Sequence, residues 1–240
     1  MPEPSEPVVT VVVAAGSGTR LGGETPKALR EIAGRPLVLR SIERLAAGGC
    51  THAVVVVPAD AASEFQAGLR DAPIPCTFVS GGAVRQDSVR FGLDAVAADP
   101  ALAGCRVVLI HDAARALVPA EVVERVISAV RAGAVAVIPV VPVIDTIRQV
   151  TGSGSRVVDR SDLRAVQTPQ GFDLRTISDA HALLVREGLE VTDDAAACEH
   201  AGHAVVLVEG ARESLKVTEP LDLVFVEAIA RAGEREVCRG

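Results

Sequence analysis

Apolar residues in this chain fall into short unbroken runs, separated by stretches in which they recur at helical intervals. The runs at 8–13, 53–57, 76–79, 106–110 and 134–140 read as strands buried on both faces, as in a parallel sheet. Between them, 36–47, 85–97 and 119–131 repeat apolar residues with a helical period. The first stops at Gly48-Gly49 and the last begins on Pro119, as helix ends and starts do. Asp60 is placed to cap a helix after the second strand. Alternating strands and helices predict a mostly parallel α/β sheet, which binds ligands at the carboxyl ends of its strands.

The pattern breaks at 143–164. Two short runs, 144–150 and 156–159, flank Thr151-Gly-Ser-Gly-Ser155, a hairpin turn signal. A lone hairpin is marginal in water, so this one is expected to project as an arm and pair with a second subunit. The sheet resumes near 165–172, and helices are expected at 173–186, 193–201 and 220–231, with strands at 204–208 and 214–218. No linker or repeat divides the chain. The expectation is one domain, 1–240, with 143–164 as its arm.

Composition narrows the function. The chain has no Trp or Tyr, so it lacks the stacking platform of a single-strand nucleic-acid binder. A net charge of −7 argues against a general polyanion surface and makes any phosphate site local. Its 5 cysteines are scattered without a C-x-x-C pair and read as buried thiols of a reducing cytoplasm. The acidic, proline-rich start is unlike a signal peptide, and the apolar stretch 132–144 is too short to span a bilayer. A cytoplasmic protein without membrane or nucleic-acid partners is expected.

The candidate chemistry lies in three loops at predicted strand ends. After the first strand come Ala14, Ala15, Gly16, Ser17 and Gly18, small enough for backbone N–H groups to approach an anion, followed by Arg20 and Lys27. The spacing fits neither the dinucleotide fingerprint nor a P-loop, since Leu21 stands where the former needs its third glycine. After the third strand, Gly81 and Gly82 turn into a helix carrying Arg85 and Ser88, so a positive helix end faces the ligand. After the fourth strand comes His111-Asp112-Ala-Ala-Arg115. Its carboxylate suits Mg²⁺, a substrate hydroxyl or a helix cap. The histidines (His52, His111, His181, His200, His203) form no triad-like set, and most read as surface residues or helix fillers.

Taken in order, GSGTRLGGETPK, GGAVRQDSV, HDAAR, Asp145-Thr146, Asp159-Arg160, QTPQGF, TDDA and LKVT resemble the 2-C-methyl-D-erythritol 4-phosphate cytidylyltransferases of the non-mevalonate isoprenoid pathway. The resemblance implies a Rossmann-like three-layer α/β nucleotidyltransferase fold with a projecting β-arm, using CTP, a polyol phosphate and Mg²⁺ or another divalent cation. It implies that Arg20 and Lys27 stabilise the CTP phosphates. Backbone around Ala14, Ala15, Gly16 and Ser17, with Gly81, Gly82 and Ser88, would hold the nucleotide, supported by Arg85. Asp112, Arg115, Thr192 and Lys216 would face the methylerythritol phosphate, Asp112 doubling as metal ligand and Lys216 among the catalytic cations. Thr146 and Arg160, on the arm, would reach a partner's site in a homodimer. Two departures stand out: Val13 replaces the family's usual proline, and Ala83 an acidic residue. A ribitol-5-phosphate cytidylyltransferase and a non-catalytic nucleotide-binding module are the alternatives.

Overall fold

A computed structural model describes residues 6–16, 18, 21–22 and 25–237, with side chains through residue 233. The chain opens with β1 (Val8–Val13), then a 3-10 turn at Lys27–Leu29 and a small ladder of β2 (Glu31–Ile32) with β3 (Arg35–Pro36). There follow α1 (Leu37–Ala47), β4 (His52–Val57), α2 (Ala62–Gly68) and β5 (Cys76–Ser80). Next come α3 (Arg85–Ala98), β6 (Val107–Asp112), α4 (Ala120–Arg131) and β7 (Ala136–Pro142). The hairpin is β8 (Ile147–Thr151) and β9 (Gly154–Val158). The remainder is β10 (Arg164–Val166), β11 (Gln170–Asp173), α5 (Leu174–Glu187), α6 (Asp194–His200), β12 (Val206–Glu209) and α7 (Pro220–Val237).

The main sheet has 8 strands in the order β10-β7-β11-β6-β1-β4-β5, with β12 paired to β7. β1 runs parallel to β4 and β6, β4 to β5 and β12 to β7, while β10 and β11 run antiparallel. Side chains alternate across a strand, so β1 serves two cores. Val8 and Val12 meet α1, α2 and α4 through Ile42, Phe65 and Val126. Val9 and Val11 meet α3, α5 and α6 through Leu93, Ile177 and Cys198. The sheet is thus the middle of three layers, and burial on both faces is why its strands read as continuous apolar runs. A third cluster, with Leu37, Leu117, Val217 and Val226, seats α7 beside the carboxyl edge of the sheet. Among the described residues, no helix is long and apolar enough to cross a membrane.

Three expectations change. Asp60 caps nothing, because α2 starts one residue later, with Ala61 at its N-cap and no side-chain hydrogen bond there. The hairpin turn is tighter than expected, residues 151 and 154 already pairing in the ladder. The sheet does resume near 165–172, as two short strands on either side of the cis Thr168–Pro169 bond. The run 214–218 is not a strand but a strap, tied to the loop after β6 by the backbone bond from Val217 N to Ala114 O (2.9 Å).

Candidate active site

Strand register brings the three loops to one level. Val13 lies opposite both Asp112 and Val56, and Val57 opposite Ser80. The ladder continues just past these positions: Ala14 N donates to Val56 O (2.8 Å), Gly81 N to Val57 O (2.8 Å) and Ala113 N to Val13 O (3.2 Å). The loops then part around a cleft of about 390 Å³, within the size range of small-molecule sites. The first two loops approach so closely that a Cβ on Gly81 would lie 2.4 Å from the Cβ of Ala15. Any side chain at 81 would therefore separate them. Ala14, Ala15, Gly16, Gly82 and Ser88 line this side of the cleft. The Ser88 hydroxyl accepts from Gly82 N (3.1 Å) and donates to Val84 O (3.2 Å), so it fixes the glycine turn.

A charge network borders the opposite side. Asp112 sits with Oδ2 2.7 Å from Lys216 Nζ and Oδ1 3.4 Å from Arg85 Nε. Arg85 also reaches Asp194 Oδ2 at 2.8 Å, and Asp194 Oδ1 lies 3.3 Å from His181 Nε2. Burial pushes the Asp112 carboxyl up, but Arg85 and Lys216 outweigh it and hold it well below the usual carboxylate range. Asp194 behaves alike: burial is outweighed by Arg85 and His181. Burial lowers Arg85, yet its two carboxylate partners raise it further, so the guanidinium stays charged. Lys27 donates to Val217 O (3.2 Å), which places its ammonium beside the strap carrying Lys216.

Of the expected site residues, Ala14, Ala15, Gly16, Lys27, Gly82, Arg85, Ser88, Asp112 and Lys216 line one cleft, with Gly81 against its wall. Val13 and Ala83 line it too, and Val13 keeps the β1 register with Asp112. Arg115 directs its guanidinium to Ser214 O (2.8 Å) and Val166 O (3.2 Å). Thr192 is exposed just ahead of the Asp193 cap of α6. Thr146 and Arg160 stand apart from the cleft, flanking the hairpin, in a depression they share with Val157, Val158 and Asp159. Ser17 and Arg20 lie outside the described residues.

Sequence reasoning missed several buried polar groups. His111 and His181 are not surface residues; they are 0% and 1% exposed. Burial drives the His111 imidazole down to about 4, so it is neutral, and its Nδ1 lies 3.1 Å from Thr168 Oγ1. Asp194, Gln167, Thr168 and Gln170 are also buried and structurally committed. Their only sequence signal was that polar residues stand inside the TDDA and QTPQGF motifs. Among the described residues, no cluster of three or more His, Cys, Asp or Glu is placed to hold a metal.

A three-layer sheet with glycine loops and cations around a cleft at its carboxyl edge defines an α/β protein of the nucleotidyltransferase type. A family model described as IspD, 2-C-methyl-D-erythritol 4-phosphate cytidylyltransferase, matches residues 8–232, and the chain belongs to that family. It is 46% identical over 232 residues to the 2-C-methyl-D-erythritol 4-phosphate cytidylyltransferase of Streptomyces coelicolor, covering 91% of this chain and 83% of that protein. The protein of the same description from Corynebacterium diphtheriae is 43% identical over 239 residues, covering 96% of each. The crystal structure of the Thermus thermophilus protein of that description superposes with a TM-score of 0.76 at 36% identity, covering 92% of this chain and 98% of that one. These descriptions do not favour the ribitol phosphate reading or the non-catalytic module.

Proposed function

We propose that this protein transfers CMP from CTP to 2-C-methyl-D-erythritol 4-phosphate in the non-mevalonate isoprenoid pathway. Pyrophosphate and 4-diphosphocytidyl-2-C-methyl-D-erythritol are the products. The observation that carries this reading is the meeting of Lys27, Lys216 and an ionised Asp112 in one cleft beside two glycine loops. An oxygen of the acceptor phosphate attacks the α-phosphorus of CTP in line, and the bond from that phosphorus to the bridging oxygen breaks to release pyrophosphate. A phosphate monoester loses its second proton near pH 6, so the nucleophile is largely ionised at neutral pH and needs no general base. The barrier is repulsion between anions, roughly 4 kcal/mol for unit charges about 4 Å apart at an effective dielectric near 20. Fixed cations offset it. We assign that role to Arg20, Lys27, Lys216 and the partner-supplied Arg160.

The nucleotide is read against Ala14, Ala15, Gly16, Ser17, Gly81, Gly82 and Ser88, with Arg85 supporting. The polyol phosphate is read against Asp112, Arg115, Thr192 and Lys216. Asp112 suits Mg²⁺: it is the carboxylate lining the cleft among the described residues, and it stays ionised. Mg²⁺ takes one or two carboxylates and completes its shell with phosphate oxygens and water. When bound, it would neutralise triphosphate charge.

We read the chain as one domain, 1–240, with arm 143–164, working as a homodimer in the cytoplasm. Support for the dimer is that β8 and β9 pair only with each other while Val150 is 83% exposed. Thr146 and Arg160 would thereby enter a partner's cleft. Support for a reducing compartment is that Cys50, Cys76, Cys105 and Cys198 are free thiols. Pyrophosphate release, measured with each nucleoside triphosphate and with methylerythritol or ribitol phosphate, tests the assignment. Turnover is expected for CTP with methylerythritol phosphate; turnover only with ribitol phosphate, or none, overturns it.

A further inference from the structure

We propose that Gln167, Thr168 and Gln170 are positioning residues that hold the polyol phosphate half of the cleft in register. This rests on the assignment of the Asp112 side to that substrate. Each side chain is buried, and each is spent on a different cleft-forming segment. Gln167 Nε2 donates to Ala211 O (2.8 Å) and its Oε1 accepts from Ala211 N (3.1 Å). That pins the start of the segment that runs through Ser214, the acceptor of Arg115, to Lys216. Thr168 Oγ1 accepts from Asp112 N (3.1 Å) and pairs with Nδ1 of the neighbouring His111 ring (3.1 Å). Gln170 Nε2 donates to Asp193 Oδ2 (3.0 Å) and its Oε1 accepts from Ala195 N (3.1 Å). That fixes the start of α6, from which Asp194 holds Arg85.

The geometry closes a ring. Asp194, Arg85, Asp112 and Lys216 are linked by ion pairs on the cleft side, and the three segments bearing Asp194, Asp112 and Lys216 converge on residues 167–170 behind it. Hydrogen bonds made by an amide in the interior are directional and costly to leave unmade, so they set a segment's position rather than merely its stability. The nucleotide half is held by other bonds, from Ala14 N and Gly81 N to β4 and from Gly82 N to Ser88. Loss of a glutamine should therefore act first on the polyol phosphate side, and reach the nucleotide loops only through the Arg85 guanidinium that Asp112 and Asp194 hold.

The test is steady-state kinetics on Gln170→Glu and on Gln170→Glu combined with Asp193→Asn. The first sets a carboxylate against the Asp193 carboxylate; the second supplies an amide donor and restores the bond in the opposite sense. For Gln170→Glu, KM for methylerythritol phosphate should rise about tenfold, the equivalent of losing roughly one hydrogen bond, with KM for CTP within about twofold of wild type. The double variant should recover most of the loss. Equal changes in both KM values, or a loss of activity that only tracks the unfolded fraction, overturn the proposal. If wild type does not turn over this substrate, the substrate assignment has failed, and amide hydrogen exchange decides the positioning role. Faster exchange at 193–196 but not at 81–88 in Gln170→Glu then supports it, and uniform exchange overturns it.

Discussion

The central sheet and the β8–β9 hairpin are both made of strands rich in Val, and they have opposite fates. Val9, Val11 and Val55 are 0% exposed between two helical layers, whereas Val150 is 83% and Val157 58% exposed on a ladder that pairs with nothing else. An apolar strand residue stabilises only what covers it. In the sheet the cover is the same chain, so apolar side chains there set stability, and the strand ends can carry charged groups. In the hairpin the described residues of the same chain supply no such cover, so in the proposed dimer its apolar residues would bear on assembly. Damage to the two regions should separate cleanly, in stability and in catalysis.

The largest separation is in folding. Phe172, fully buried on β11, should cost about 3–5 kcal/mol when replaced by Ala, from lost transfer energy and the cavity left behind. Val150→Ala should change the stability of the separated chain by no more than about 0.5 kcal/mol. Urea unfolding at high dilution compares them, and similar losses at both sites would erase the distinction. Next in size is chemistry. Lys27→Ala should reduce kcat by about 10²–10³-fold, as removal of a preorganised charge-stabilising donor does. Single-turnover pyrophosphate release measures it, and unchanged turnover would remove Lys27 from the reacting centre.

The same contrast explains what could be read from the sequence. Buried parallel strands leave unbroken apolar runs, so β1, β4, β5, β6 and β7 were legible within a few residues. The hairpin was legible by exception, because its turn residues interrupt the alternation. The glycine loops were legible because closeness of backbones demands small residues, as at Gly81. What stayed hidden was polar and long-range. Asp194 meets Arg85 across 109 positions, and Gln167 meets Ala211 across 44, with no periodicity to announce either. The run 214–218 looked like a strand because Leu215 and Val217 alternate with polar residues, but Val217 points into the α7 cluster and Lys216 to Asp112. Alternation there serves a strap with one apolar and one charged face.

Acid should weaken the cleft edge specifically. The His111 imidazole has an ordinary value of 6.5 and is pushed to about 4 by burial. Between these limits the unfolded chain binds a proton that the folded chain does not, so stability rises with pH. The contribution is complete above pH 6.5 and is lost as pH falls towards 4, amounting to about 3 kcal/mol at 1.36 kcal/mol per unit. Asp112, held low by Arg85 and Lys216, adds loss in the same direction only below the usual carboxylate range. His111→Gln should flatten the slope in urea titrations across that window, while deletion of the hairpin leaves it in place. A slope that survives His111→Gln assigns it to other groups.

The finest test asks whether the two regions meet across subunits. In a mixed dimer of Lys27→Ala and Arg160→Ala chains, arm exchange gives one cleft both defects and the other neither. The second cleft draws Lys27 from the Arg160→Ala chain and Arg160 from the Lys27→Ala chain. Verified mixed dimers should then regain about half the wild-type turnover, from parents each reduced by the loss of a charge-stabilising group. If each arm served its own chain, every cleft would carry one defect and the mixture would show only the mean of its parents. Recovery is therefore a statement about connectivity alone, since the same mutations are present in both cases. Val150→Asp on both chains should abolish the recovery by separating the copies, leaving the sheet and its cleft intact.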